Sequence, residues 1–269
     1  MNRTAIVTLV RRDLTVVVRS RAVSLPILIL PVIFFVLMPA GLILLSRAIS
    51  EDLGEFRELI ALMPELLRRE LAGLSPSATV AVWGLEYVFA TFFLIVPLMT
   101  SAVIAADSFA GEKERRTLEA LVHTPASDRD LFLGKLLAPW LAAMAVAVGG
   151  YAVFVVIVNV LGAGLVDRPI AITVRWALVI AWLTPAVATL AVGALVLVSA
   201  RVRGFQEAYQ VGALVVLPLV LLLVGQITGV LYLDIPFIVA LGAVLWAIAL
   251  ATVRLGYRSF RRESLLVNL

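Results

Sequence analysis

The sequence predicts an all-α integral membrane protein with six transmembrane helices. Three observations carry this. Of the 269 residues, 62% are hydrophobic and only 15% are charged, where a soluble domain carries about 25% charged residues. The charges are gathered into a few polar stretches instead of being spread. Between those stretches lie six runs without Asp, Glu, Lys or Arg, at 22–46, 87–106, 136–166, 176–200, 208–233 and 235–253. A crossing takes about 20 apolar residues, so each run is long enough. A charge at mid-membrane costs about 2.5–3.5 kcal/mol, which makes six such gaps in charge a signal and not an accident.

The chain opens with a basic segment. Residues 1–21 hold five arginines and one acid. Ile6, Val10, Leu14, Val17 and Val18 share one helical face, so 4–21 reads as an amphipathic interfacial helix with arginines reaching lipid phosphates. The apolar run that follows is too long for a secretory signal, and no cleavage signature stands out.

Residues 47–86 join the first two spans. Leu53, Phe56, Leu59 and Ile60 lie opposite Glu51, Asp52, Glu55 and Glu58, which marks one short amphipathic helix. Pro64 opens a second, running through Leu71, and Gly73 ends it. The pair is expected to lie over one mouth of the bundle.

The most polar stretch after the second span runs from Asp107 to Lys135. It packs eleven charged residues into twenty-nine positions. From Gly111 to Thr124 it reads as a helix. Leu118, Leu121 and Val122 continue an apolar stripe from Phe109, while Glu112 with Arg116 and Arg115 with Glu119 are opposite charges four apart on the other face. Pro125 disfavours helical geometry at Thr124 and stops this helix. Ser127 is an N-cap candidate with Asp130 in the third position of a capping box, and a second helix then returns to the membrane through Gly134 and Lys135.

Phe109-Ala-Gly-Glu-Lys-Glu-Arg-Arg-Thr-Leu-Glu-Ala-Leu, Thr124-Pro125 and Leu133-Gly134-Lys135 resemble the loop after the second membrane helix of ABC-2-type permeases, the membrane subunits of a class of ABC transporters, mostly exporters. The resemblance covers about twenty-five positions closely, and elsewhere it is one of architecture. It implies that residues 1–269 form one ABC-2-type transmembrane domain. It also implies a cytosolic coupling helix between spans two and three, with Glu112, Lys113, Glu114, Arg115, Arg116, Thr117, Leu118, Glu119, Leu121, Thr124 and Pro125 docking on a cytosolic ABC ATPase subunit. Arg201, Arg203 and Glu207, between spans four and five, would make a second ATPase contact. Six spans are half the usual complement of such a conduit, so a second permease copy or a paralogue is an implied partner. ATP and Mg would be bound by the ATPase, with no cofactor on this chain.

The residues themselves limit the alternatives. There is no cysteine and a single histidine, His123, so thiolate and multi-histidine metal sites are excluded. Gly134-Lys135 lacks the upstream glycine and following Ser or Thr of a phosphate loop, since those positions are Arg129 and Leu136. Lys135 reads instead as a snorkelling anchor. No ionisable residue falls inside the six runs, whereas self-contained carriers and channels usually place one at depth. That rival is therefore disfavoured, as are a membrane enzyme, for want of an acid, base or metal cluster, and a passive scaffold. Asn159, Gln210, Gln226, Thr91, Thr100, Ser101, Thr184 and Thr189 are read as helix-packing hydrogen-bond groups. Gly225 and Gly229 form a GxxxG close-packing surface. Pro218 and Gly225 are candidate breaks in the fifth span. No catalytic or metal residue and no nucleic-acid partner is expected. A conduit without buried charge suits a lipophilic or amphiphilic solute, with sodium coordinated by backbone carbonyls at proline kinks as the other candidate.

Basic residues set the orientation. The segments 1–21, 107–135, 201–207 and 254–269 hold sixteen Lys and Arg, against six in 47–86, 167–175 and Asp234. The positive-inside rule then places both termini in the cytoplasm of a multi-pass plasma-membrane protein. A reporter placed near Ser127 or after Leu269 is expected on the cytosolic side, and one near Ser75 outside. A cytosolic signal at Ser75 overturns this topology.

Overall fold

A computed structural model describes residues 3–48, 65–115, 127–199, 201–202, 204–228 and 230–259. The described residues form helices α1 (Arg3–Arg19), α2 (residues 21–48), α3 (Glu65–Leu71), α4 (Pro76–Glu114), α5 (Asp128–Leu161), α6 (Val174–Ser199), α7 (Phe205–Ile227) and α8 (Ile235–Ser259). Six of them, α2 and α4 to α8, are long and apolar enough to cross a membrane. With an even number of crossings both termini fall at one end of the bundle, called here the terminus side, opposite the far side.

The helices outrun the charge-free stretches. α4 begins at Pro76 and not near Tyr87, because Ser75 caps it: its backbone is extended and its Oγ accepts the Ala78 N–H at 3.3 Å. Pro76 then occupies the first turn, where its missing N–H costs nothing. At 39 residues, α4 is about 58 Å long, against about 30 Å for a bilayer core. Its charge-free section 87–106 fits the core and both ends project. The Ser127 cap expected from sequence is present, with Oγ accepting the Asp130 N–H at 3.2 Å. α3 and its Gly73 terminator, at φ +84°, also match the reading, whereas the helix expected over 51–60 lies outside the described residues. Near Pro218 the fifth span is interrupted by a 3₁₀ turn at Leu214–Val216, and it ends at Ile227.

Among the described residues four turns are widened to π-helical geometry. Those at Ile33–Leu37 and Val179–Leu183 lie just before Pro39 and Pro185, whose rings cannot donate to the preceding turn. The other two, Trp83–Val88 and Asp107–Gly111, are both on α4 and have no proline after them. Each carries a buried carboxylate.

α4 and α6 form the centre. In their most apolar windows 83% and 72% of residues are buried, against 17–22% for the other four spans. An aromatic cluster locks α4, α5 and α6 together. Trp176, wholly buried, meets Phe93 edge-on at 5.4 Å and stacks on Tyr151 at 5.5 Å. Phe154 adds a 4.9 Å contact to Trp176 and stacks on Phe89 at 4.8 Å. The cluster depends on one close approach, since a Cβ at Gly150 would overlap the Phe35 ring. α6 and α8 approach similarly, with Gly193 against Thr252.

α1 packs along α5, with Leu9 resting on Gly134. Its buried face is Ile6, Asp13 and Val17, so the expected apolar face is rotated: Val18 is 76% exposed, and a carboxylate stands in the seam. Of the in-span polar residues, Thr91 and Gln226 bond α4 to α7, and Gln226 Nε2 also donates to the Tyr87 carbonyl at 3.1 Å. Thr184, Thr189 and Ser101 donate within their own helices.

Truncating the centre of the aromatic cluster removes more contact than any neighbouring change. Trp176→Ala is expected to destabilise the bundle by about 3 kcal/mol. The check is its thermal melt in detergent beside that of Gly150→Leu, which should also melt early by forcing α2 off α5.

Candidate functional site

Two ionic clusters grip α4, one at each end of its charge-free core. On the terminus side, Glu112 is nine-tenths buried. Its carboxylate bonds Arg12 of α1 and pairs with Lys135 of α5 at 2.5 Å. Lys135 is fully buried; its Nζ donates to the Ser108 carbonyl at 2.6 Å and lies 5.5 Å from the Phe109 ring. It is therefore no snorkelling anchor. A lysine that reached for water would leave Glu112 facing the seam between α4 and α5 with one partner fewer. Arg12 also bonds Asp13 Oδ1 at 3.1 Å, so α1, α4 and α5 share one network.

The next two residues turn to the terminus-side loop between α6 and α7. Glu114 Oε2 accepts the Phe205 N–H at 2.9 Å and so caps α7. The close approach of Gly204, whose added Cβ would lie 2.5 Å from that oxygen, makes room for it. Lys113 Nζ donates to the Val202 carbonyl at 3.4 Å. Across the widened turn Arg115 pairs with Asp107 at 3.0 Å. Gly111 does not open a new helix: α4 continues through it to Glu114, because the π turn lets Asp107 and Glu112 both face protein.

Of the residues singled out from sequence, Lys113 and Glu114 reach the 201–207 loop at Val202 and Phe205, Glu114 and Glu207 line one open pocket, and Arg201 and Glu207 are exposed. Arg116, Thr117, Leu118, Glu119, Leu121, Thr124, Pro125, Arg203 and Gly229 lie outside the described residues. Gly225 packs against Leu231 of the turn after its own helix, and the Leu231 N–H donates to its carbonyl at 2.8 Å.

The far-side cluster was not anticipated. Glu86, 2% exposed, holds Arg168 through two bonds of 2.7 and 2.9 Å and accepts the Ala171 N–H at 3.3 Å. These bonds raise the Arg168 pKa above its ordinary value, against the opposing effect of burial. One turn further, Arg175 lies over the Tyr87 ring at 3.9 Å and near the Tyr232 ring at 5.5 Å. Glu70 of α3 accepts the hydroxyls of Tyr87 and Tyr232, the latter at 3.0 Å, and stands 3.8 Å from Arg175. Burial pushes the Tyr232 phenol pKa up, which keeps it a donor. The one legible signal was Ser75-Pro76, a helix start that would have set Glu86 inside α4 instead of in a loop. Among the described residues no cluster of three or more His, Cys, Asp or Glu could hold a metal.

An all-helical bundle with six helices long and apolar enough to cross a membrane has the architecture of a multi-pass membrane protein. The chain belongs to the ABC-2 family of transporter proteins, whose sequence profile matches residues 7–237. It is thus a multi-pass membrane permease of the ABC transporter class, in which the membrane subunit is typically non-catalytic. No curated protein matches it.

The terminus-side network yields a double-mutant test. Glu112→Gln should strand the buried Lys135 and lower stability by about 3 kcal/mol, because a buried charge loses its partner. Adding Lys135→Met should recover part of that loss. A double variant that melts no later than Glu112→Gln alone would show that the pair is not coupled.

Proposed function

We propose that this chain is the conduit-forming subunit of an ATP-driven exporter in the plasma membrane, with both termini cytoplasmic. It works with a second permease, identical or paralogous, and with cytosolic ABC ATPases that bind ATP and Mg. The observation that carries this reading is the junction of the two cytosolic loops. Glu114 caps α7 and Lys113 reaches Val202, so the segment entering 112–124 and the loop 201–207 form one surface. An ATPase seated there would push on α4 and α7 together, and through Glu112 on α1 and α5. ATP-driven closure of the ATPases would then rock the spans between inward-open and outward-open states.

The self-contained carrier remains disfavoured. The structure adds buried charges, but they sit outside the charge-free runs: Glu86, Asp107 and Glu112 flank that of α4, and Lys135 and Arg175 directly precede those of α5 and α6. The charge-free section of α4 offers hydroxyls and backbone but no charge to replace the hydration shell of an ionic solute. A lipophilic or amphiphilic cargo is therefore favoured over sodium. ATPase stimulation by amphiphiles supports this choice, and stimulation by sodium alone reverses it.

Leu121→Asp is the sharper test of coupling, since Glu114→Lys also uncaps α7. Both are expected to insert normally, to lose co-purification with the ATPase and to abolish ATP-driven uptake into inverted vesicles. Wild-type binding and transport by Leu121→Asp would remove the coupling assignment.

A further inference from the structure

We infer that Arg175, Tyr87 and Tyr232 form a carboxylate-binding site on the far side, occupied in this structure by the chain's own Glu70 and open to the carboxylate headgroup of an amphiphile. Two hydroxyls and a guanidinium face one carboxylate. The Tyr87 hydroxyl donates to Glu70 Oε2 and the Tyr232 hydroxyl to Oε1, one on each oxygen, while the Arg175 guanidinium stands behind them. Arg175 is nine-tenths buried. Its charge is answered only by Glu70 among the described residues, because Glu86 is engaged by both arms of Arg168. With Glu70 removed, the four groups Arg175, Arg168, Glu86 and Glu70 reduce to three with one net positive charge. That balance fits a monoanion.

Glu70 is a poor occupant of this site. A charged N–H···O⁻ bond closes to about 2.7–2.9 Å, but Arg175 Nη2 stays 3.8 Å from it. Arg175 Nη2 donates to the Tyr232 oxygen at 3.1 Å instead, and Arg175 Nε is buried with no hydrogen-bond partner among the described residues. The Glu70 side chain is 53% exposed and comes from α3, a helix of seven residues. A free carboxylate is not tethered to α3, so it can approach closely enough to take Nε and Nη2 together, the bidentate geometry that guanidinium favours. Val230, 77% exposed, and Ile235, 45% exposed, flank Tyr232 and offer apolar surface to a chain attached to that headgroup. Displacing Glu70 would also release α3 from Tyr87 and Tyr232, so arrival of the headgroup and opening of the far side are one event.

The inference rests on the amphiphile reading of the proposed function and narrows it to carboxylate amphiphiles. The test measures binding to the permease alone, so its failure is distinct from a failure of ATP-driven transport. The chain is reconstituted in nanodiscs and titrated calorimetrically with octanoate, octanol and octylamine, with empty nanodiscs as the reference. Glu70→Ala is expected to bind octanoate at least tenfold more tightly than the parent, with no comparable gain for octanol or octylamine. Adding Tyr232→Phe, which keeps the ring and loses the donor, should reverse most of that gain. The inference is overturned if Glu70→Ala leaves octanoate affinity unchanged, if octylamine gains as much, or if the gain survives Tyr232→Phe.

Discussion

Everything in this bundle depends on the burial of carboxylates at both ends of α4. Glu86 is held by Arg168 and Glu112 by Lys135 and Arg12. Removing one partner of such a pair leaves a charge that neither lipid nor core can solvate. The segments that supply the partners, α1, α5 and the loop between α5 and α6, are therefore obliged to stay where they are. Glu86 and Glu112 are 26 positions apart, about 39 Å along a helix, which exceeds the bilayer core and sets each cluster near a membrane face. Both carboxylates fall in or directly after a widened turn with no proline to explain it. The helix departs from its regular ladder where it must aim a charge at a neighbour.

The terminus-side cluster adds a polar joint to helices that also pack directly. α1 packs along α5, with Leu9 resting on Gly134. Arg12 bonding Glu112 ties α1 to α4 as well, and Glu114 capping α7 brings in the fifth span. α1 and the three spans α4, α5 and α7 are thus linked through the few residues at the end of α4.

Charge gaps made the six crossings legible, because hydrocarbon penalises charge more strongly than almost any other feature of sequence. They marked membrane edges and not helix ends, so α4 and α5 turned out longer than their runs. Local capping was readable where it was looked for, at Ser127 and Gly73, and missed at Ser75-Pro76, where the signal was equally plain. The Lys135 pairing was not readable: next to Gly134 at a span boundary, a lysine that snorkels and one that is buried look the same. Arg168 and Arg175 were counted only as orienting charges, since their partners Glu86 and Glu70 are far away in sequence and meet them only through packing of α3, α4 and α6. Glu112 and Arg115 were read as paired with Arg116 and Glu119 four positions on, whereas Glu112 bonds α1 and α5, Arg115 bonds Asp107 within α4, and Lys113 and Glu114 reach Val202 and Phe205.

The two clusters differ in how readily they can open. Lys135 has no exposed surface, so parting it from Glu112 means uncovering an ammonium inside a packed seam. Glu70 is half in solvent, and water can take over its hydrogen bonds as it leaves. α3 is too short to be stable as an isolated helix. It is held by Leu67 and Leu71 against Val82 and Tyr87, together with the Glu70 bonds. Most of α4 is enclosed, so it moves as a body with the side chains packed on it. Under the proposed coupling, a displacement begun at the terminus side would be carried along α4 with Glu112 and Lys135 still joined. It would be relieved where the attachment is weakest, at the contact between α3 and the Tyr87–Tyr232 pair. The end proposed to stay coupled is sealed by Glu112 on a wholly buried Lys135, and the end proposed to release by a carboxylate already half hydrated.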